Sequence, residues 1–284
     1  MMHNQAWLNA QPCDEVFVLD RGLLYGDGFF TTMLCYQQQV LNWSAHLQRL
    51  KVAAQRLDFP QIDESMLQAT LNAALASASS GLAVIKLVIT RGVGGVAYAP
   101  PLAPELHYLS YLMPVPARLM QVMQQPQQCM PRVKCMPCQT PISINPYLAG
   151  IKHLNRLDNV LARHEVVQSD AEDGLMFTAA GQLISGTQGN VVLIREGVAY
   201  TPNLDQAGVS GTCLNALKTL PLGLTWLETE LTRQDLMQAQ SVFICNAVRG
   251  VQAVARFDEI SYDTTLIEPI NQAWWSWLMN QSSK

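Results

Sequence analysis

The sequence predicts a two-domain protein of the mixed α+β class, and three observations carry that prediction. As far as residue 113, runs rich in branched and aromatic residues alternate with segments whose apolar residues recur at helical spacing. Residues 114–128, PVPARLMQVMQQPQQ, then bring three prolines and a glutamine run, the texture of a crossover between domains. Beyond them the pattern changes to short strands set around few helices. The expected division is an amino-terminal α+β domain over 1–113, a linker over 114–128 and a carboxyl-terminal domain over 129–284.

Each element has a local reason. Val16 to Leu19, Phe30 to Cys35 and Val40 to Asn42 read as strands. From Ser44, SAHLQRLKVAAQRLDFP reads as a helix, with Ser44 as its cap, Leu47, Leu50, Ala54 and Leu57 on one face and Pro60 as its stop. ESMLQATLNAALASASSG gives a second helix ended by Gly81, and Ala83 to Thr90 and His107 to Met113 return to sheet. In the second half, Val133 to Cys138 reads as an apolar strand bounded by prolines, and a helix spans about Leu154 to Ser169. A hairpin-like set covers 174–200, a helix opens after the Gly208 to Gly211 turn, and Ser241 to Cys245 and Val251 to Phe257 resemble buried strands. Trp274, Trp275 and Trp277, at near-helical spacing, suit a core or an interface, with core the simpler reading.

Composition removes several classes of function. Of 284 residues, 49% are hydrophobic and 14% charged, a balance that buries a core and does not suit disorder. Eighteen basic residues against 22 acids leave a net charge of −4, without the basic footprint of a nucleic-acid binder, so a small molecule is the expected partner. The amino terminus lacks the basic-then-apolar pattern of a secretory signal and no window has the apolar length of a membrane span; a cytoplasmic location is expected. Seven cysteines, an odd count, suit free thiols. Cys129, Cys135 and Cys138 cluster in CMPRVKCMPC, where a single CxxC has no second pair or nearby histidine to complete a metal site. Buried cysteines acting as small hydrophobes are the plainer account, redox or metal use the alternative, and no metal is expected.

Three features could carry chemistry. Lys152, in NPYLAGIKHLNRLDNVLA, follows Gly-Ile and precedes a helix; near other cations and partly desolvated, its amine would be free for Schiff-base chemistry, although position alone also describes a solvated surface lysine. DRGLLYGDGFFTTM places Gly22, Gly26 and Gly28 within seven positions, a tight turn that lets backbone approach a ligand or another chain, without the spacing of a nucleotide loop. QAGVSGT, residues 206–212, opens a helix in the manner that offers N–H groups to an anion, or simply uses Ser210 as a cap.

Taken in order, DRGLLYGDGFFTT, the HLQRL around Arg49, AGIKHLNRLDNVLA, the turn Gly181 to Asn190, LDQAGVSGT and SVFICNAV resemble the fold-type IV, or class IV aminotransferase-like, pyridoxal phosphate (PLP) enzymes across nearly the whole chain. The resemblance implies an amino-terminal α+β domain, a barrel-like α/β carboxyl-terminal domain bearing the PLP lysine, and a homodimer whose site lies between the domains and borrows residues from the partner. It implies Lys152 as the Schiff-base lysine and proton shuttle and Arg49 as the clamp on the cofactor phosphate, where the residue alone would read as a helix-surface arginine. Val209, Ser210, Asn246 and Ala247 would complete the phosphate cup, and Ser185, Asn190 and Asn155 would line the site. Phe30, Thr31, Arg91, Asn155 and Arg156 would face the substrate.

Within the family, three details resemble the lyases that cleave 4-amino-4-deoxychorismate to p-aminobenzoate and pyruvate for folate synthesis: Thr31-Thr32, where transaminases usually carry a Glu; Arg156, where branched-chain transaminases have a Tyr; and CNA at 245–247. Two positions depart from the family. Ser185 stands where an acid pairs with the pyridine nitrogen, which suits a lyase better than a transaminase because aromatisation of the ring assists cleavage. Val96 and Ala97, in RGVGGVAY, stand for the Arg-Gly of a pattern close to RGxGGRGY, so a carboxylate-binding arginine is absent and Arg156 or Arg249 is left to replace it. D-amino-acid or branched-chain transamination, or a PLP-binding relative with little activity, are the alternatives.

Overall fold

A computed structural model describes residues 5–78, 81–124 and 131–283. Two sheets organise the chain, each at the centre of its own compact unit. One unit is built from Met1–Met120, Ile151–Asn155 and Met279–Lys284, the other from Gln121–Gly150 and Arg156–Leu278. Within the expected carboxyl-terminal domain, Ile151–Asn155 and Met279–Lys284 group with the first unit, segments too short to leave a mark in composition.

In the first unit the strands are β1 (Ala6–Leu8), β2 (Gln11–Pro12), β3 (Gly28–Tyr36), β4 (Gln39–Val40), β5 (Leu82–Thr90) and β6 (His107–Met113), and the helices are α1 (Arg21–Tyr25), α2 (Trp43–Arg56) and α3 (Glu64–Ala76). The sheet order is β2-β1-β6-β5-β3-β4, antiparallel throughout. Strand alternation gives β3 and β5 two unlike faces. Phe29, Met33, Ile85, Leu87 and Ile89 join Leu50, Leu67 and Leu71 of the helices in one core. Phe30, Thr32 and Lys86 point the other way and are only partly buried.

Several local expectations change. Val16–Leu19 forms no strand; Val18 is 75% exposed, because a short apolar run has no periodicity to separate a strand from an exposed loop. The glycine-rich turn contains a short helix, α1, whose Gly22 N–H donates to the Asp20 carboxylate at 2.7 Å and whose end is the left-handed Gly26. Ser44 does not cap α2; Asn42, at φ 56°, precedes it, and the helix ends at Arg56, short of Pro60. Asp63 caps α3 by accepting from the N–H groups of Ser65 and Met66 at 2.9 and 3.1 Å. The linker carries a helix, α4 (Ala117–Gln124), begun just after Pro116, where a proline is tolerated.

The loop after β5 is organised by Arg21. Its buried guanidinium pairs with Asp27 at 2.8 Å and donates to the carbonyls of Gly94, Ala97, Tyr98 and Ala99 at 2.9–3.3 Å. That closed loop forces Ala97 to φ 50°, the left-handed region where a side chain is strained and where the family pattern carries glycine.

The second unit contains β7 (Arg132–Pro137), α5 (Leu157–Val167), β8 (Asp173–Phe177), β9 (Gln182–Gly186), β10 (Asn190–Arg195), β11 (Val198–Pro202), α6 (Thr212–Leu217), β12 (Thr225–Thr229), β13 (Leu231–Thr232), α7 (Arg233–Gln238), β14 (Ser241–Asn246), β15 (Gly250–Phe257), β16 (Ile260–Ser261) and α8 (Glu268–Met279). Its sheet runs β12-β11-β10-β14-β15-β7-β8-β9-β13, with β16 beside β15. The expected helix at 154–169 is the shorter α5. β7 lies between β15 and β8, parallel to both. Cys135 is a core residue of the sheet and Cys138 packs with Ile142, Ala162 and Val166; burial pushes both thiols up, Cys138 to about 12, so they behave as hydrophobes. Cys129 lies outside the described residues. Trp274 and Trp275 are buried in α8 and so tight against Gly250 that a β-carbon there would stand 2.7 Å from Trp274 Nε1.

Because Ala97 sits in a backbone conformation suited to glycine, Ala97→Gly should raise stability by about 0.5–1 kcal/mol, read as a higher midpoint of urea unfolding. An unchanged or lower midpoint would show that the loop imposes no strain.

Candidate active site

The backbone around Lys152 is fixed on both sides. Before it, Gly150 donates its N–H to Gly208 at 3.1 Å and accepts from Ser210 N–H at 2.9 Å. After it, Phe30 N–H donates to the Lys152 carbonyl at 2.9 Å and Leu154 N–H to Gly28 at 3.0 Å. Lys152 sits in an extended connection tied to β3, with its Nζ over the Phe30 ring, 4.6 Å from the centroid. Gly28 is required for this approach, since a β-carbon would lie 2.5 Å from the Ile89 carbonyl and 2.8 Å from Leu154.

Thr31 faces the core. It is fully buried and its hydroxyl lies 2.6 Å from Nδ1 of the buried His46 on α2. The expectation that Thr31 faces a substrate is thus corrected by strand alternation: Thr32, one residue on, shares the face of Phe30. Burial drives the His46 pKa down to about 3, helped by the nearby positive charges of Arg49 and Lys152. Arg49, one turn along α2, is itself brought down to about 10 by burial, so it stays cationic at neutral pH. A neutral imidazole and a desolvated guanidinium thus sit side by side in the first unit, close enough to Lys152 for its charge to be felt.

In the second unit, Asn190 at the head of β10 donates from Nδ2 to the Val209 carbonyl at 2.9 Å. Gly211 follows so closely that a β-carbon there would lie 1.9 Å from Asn190 Oδ1. Ser210 Oγ accepts from Asn215 at 3.0 Å and is not a side-chain cap of α6. Thr212 Oγ1 is buried with no hydrogen-bond partner among the described residues. Asn246 Oδ1 accepts from the N–H groups of Val248 and Arg249 at 3.0 and 2.8 Å and its Nδ2 donates to Gln188, which shapes the turn carrying Ala247. Ser185 is buried on β9.

The candidate substrate residues divide. Arg91 is occupied: it pairs with Asp27 at 2.9 Å, donates to the carbonyls of Leu57 and Asp58 at 2.9 and 2.8 Å, and stacks 3.9 Å over the Phe59 ring. Such an arginine holds the fold and has no free edge for a ligand, so its assignment to substrate does not stand. Asn155 is tied back to Gly26, to whose carbonyl it donates at 3.2 Å. Arg156 is half-buried at the start of α5, its pKa lowered to about 10 by burial. Burial likewise lowers Arg249, against the opposing pull of Asp173. Lys86, which reads in the sequence as an ordinary strand lysine, has its ammonium 4.5 Å from the Phe30 centroid. His46, Thr32 and Thr212 lie within the quoted motifs without being assigned a place in the site, and Lys86 lies outside those motifs; the period-2 spacing of Phe30 and Thr32 is the signal that separates the second threonine from the first. Among the described residues no group of three or more His, Cys, Asp or Glu could hold a metal, and no helix is long and apolar enough to cross a membrane.

The His46 environment has a consequence for pH. Its folded pKa lies below the unfolded value of 6.5, so the unfolded chain takes up a proton first as pH falls, and stability present above 6.5 is lost on the way towards 3. Wild type should lose about 2 kcal/mol from this group between pH 7 and 5, and His46→Asn should lack that loss in paired denaturation curves. Parallel pH dependences for the two proteins would contradict the buried neutral imidazole.

Comparison with known proteins places the chain in a family. The model of the family described as amino-transferase class IV matches residues 28–257. Aminodeoxychorismate lyase of Vibrio harveyi is 29% identical over 88% of this chain and 90% of its own. A protein named as a branched-chain-amino-acid aminotransferase of Methanocaldococcus jannaschii is 28% identical over 89% of this chain and 87% of its own. The crystal structure of 4-amino-4-deoxychorismate lyase from Pseudomonas aeruginosa superposes with a TM-score of 0.82 at 31% identity, covering 97% of each chain. The family match, over most of the chain, and the fold agree: this protein is a PLP-dependent enzyme of the class IV aminotransferase family.

Proposed function

We propose that the chain is a lyase that converts 4-amino-4-deoxychorismate to p-aminobenzoate and pyruvate, with PLP as its cofactor. Lyase is favoured over transaminase by one observation at position 185. Ser185, buried on β9, supplies a hydroxyl where a pyridinium would have a countercharge, a weaker arrangement for transamination. The alternative, transamination, rests on the archaeal relative of nearly equal identity.

The residues present fit the cofactor. In the second unit, the buried Thr212 hydroxyl without a partner among the described residues and the Gly211 cradle suit an esterified phosphate, and in the first unit the desolvated Arg49 is a cation suited to the same group. Arg49, Val209, Ser210, Asn246 and Ala247 would hold that phosphate, with Ser185 and Asn190 toward the ring. When bound, PLP supplies an aldehyde for amine condensation and a ring that accepts electrons.

The chain's own residues do the rest. Lys152 Nζ, delivered by a backbone tied to β3, would hold the cofactor and then, as a free amine, take the proton from the amine-bearing carbon of the substrate. The same amine would return a proton to the departing enolpyruvate. Phe30 walls one side of Lys152. Arg49, remaining charged, would hold the cofactor phosphate.

Exposed apolar side chains at Val16, Phe17, Val18, Leu19, Leu23 and Tyr98 suit a subunit interface, and we propose a homodimer. The six described cysteines are free thiols, in keeping with a cytoplasmic enzyme.

Lys152→Ala should reduce pyruvate release to background while leaving the circular dichroism spectrum unchanged; release at the wild-type rate would sink the assignment. Arg49→Ala should weaken PLP binding roughly 10- to 100-fold in fluorescence titration, the effect of losing a charge-assisted bond, and unaltered affinity would remove Arg49 from the phosphate site.

A further inference from the structure

Asp173, at the start of β8, is a buried carboxylate that the proposed reaction leaves unused. It is 2% exposed, and its hydrogen-bond partners among the described residues are three donors, none of them a cation. All three meet one oxygen: Oδ1 accepts from Gly174 N–H at 2.8 Å, from Thr187 N–H at 3.1 Å and from the Thr187 hydroxyl. Arg249 is near enough to feel the charge without pairing to it. Burying an ion is costly, and a neutral amide would accept the same bonds without that cost. What the charge adds is strength, since a hydrogen bond to a carboxylate is about twice as strong as a neutral one.

Those bonds hold the turn between β9 and β10, which joins Ser185 to Asn190, the two residues proposed to lie toward the cofactor ring. Gly186 N–H closes the turn on the Gly189 carbonyl at 2.8 Å, and Thr187 N–H also reaches the Gly174 carbonyl at 2.9 Å. Asn159 of α5 donates to the Thr187 carbonyl at 3.1 Å, and Asn246 of β14 to the Gln188 carbonyl at 3.1 Å. Gly189 packs so closely on β14 that a β-carbon there would lie 2.7 Å from the Cys245 carbonyl. The turn is thus tied on every side, whereas the Ser185 hydroxyl has no hydrogen-bond partner among the described residues. A fixed backbone that presents an uncommitted hydroxyl is the form a ligand contact takes.

We propose that Asp173 is a positioning residue for the cofactor ring: through Thr187 it locks the turn that presents Ser185, and so sets how firmly the Ser185 hydroxyl meets the ring nitrogen. This inference rests on the PLP reading of the site and is independent of the choice between lyase and transaminase. Asp173 itself touches neither cofactor nor substrate; removing its charge acts through Ser185.

The test uses the PLP-loaded full chain as wild type, Asp173→Asn, Ser185→Ala and the double variant, with two readouts. One is the apparent PLP affinity from fluorescence titration; the other is the NMR resonance of PLP isotopically labelled at its ring nitrogen. D173N keeps an acceptor in place and removes the charge. It should weaken PLP binding roughly 3- to 10-fold, the effect of one hydrogen bond, and move the ring-nitrogen resonance toward that of S185A. The double variant should bind PLP within about twofold of S185A and share its resonance, because two residues acting on one contact do not add. Losses that add in the double variant would overturn the proposal by showing a general loosening of the fold. A D173N ring-nitrogen resonance that coincides with wild type would overturn it as well. Thr187→Val, which removes one donor and keeps the shape, carries the same comparison with S185A if D173N does not fold. Release of p-aminobenzoate by wild type decides the lyase reading separately, and its failure leaves both comparisons intact. A wild type that binds no PLP would overturn the cofactor reading and this proposal together.

Discussion

The hydrogen bond from Phe30 N–H to the Lys152 carbonyl is the constraint on which the candidate chemistry depends. It makes a non-strand segment behave as an extension of β3, so that the reactive amine inherits the rigidity of a six-stranded sheet rather than the freedom of a loop. The approach is possible because Gly28 presents no β-carbon and because Leu154 closes the segment with its own bond back to Gly28. Once the backbone is held, the position of Nζ over Phe30 follows from side-chain length and the attraction of an ammonium to a ring face.

The same strand separates two kinds of environment. Its inward residues, Phe29, Thr31 and Met33, meet the helices, and there Thr31 and His46 satisfy each other without charge. Its outward residue Phe30 meets the ammonium groups of Lys86 and Lys152, and Thr32 pairs with Lys86 across the ladder. Keeping His46 neutral matters because a second buried cation beside Arg49 would cost several kcal/mol with no carboxylate at position 31 to offset it. A Thr at position 31 and a neutral His46 are therefore one physical choice.

Much of this was legible in the sequence. The two-domain α+β layout followed from the change of texture near residue 120, and Lys152, Arg49 and the AGVSG turn stood out through motif order. What was not legible was direction. Thr31 and Thr32 are equivalent as letters, and only the register of β3 against β5 decides that the first is core and the second is not. Arg91 looked like a substrate residue because its partners, Asp27 and the carbonyls of Leu57 and Asp58, are remote in sequence. Lys86 looked ordinary for the converse reason: nothing local shows that Phe30 lies beneath it. The run Val16–Leu19 misled because four apolar residues do not reveal whether the chain or a neighbour will cover them.

The central claim is that this class IV fold breaks a bond to pyruvate and does not move an amino group between acids. The most direct measurement incubates the PLP-loaded wild type with enzymatically generated 4-amino-4-deoxychorismate and 2-oxoglutarate together, following p-aminobenzoate fluorescence, pyruvate and glutamate in one sample. The account predicts p-aminobenzoate and pyruvate in equal amounts, at a rate proportional to enzyme, and no glutamate above background. Glutamate formation without p-aminobenzoate would contradict it.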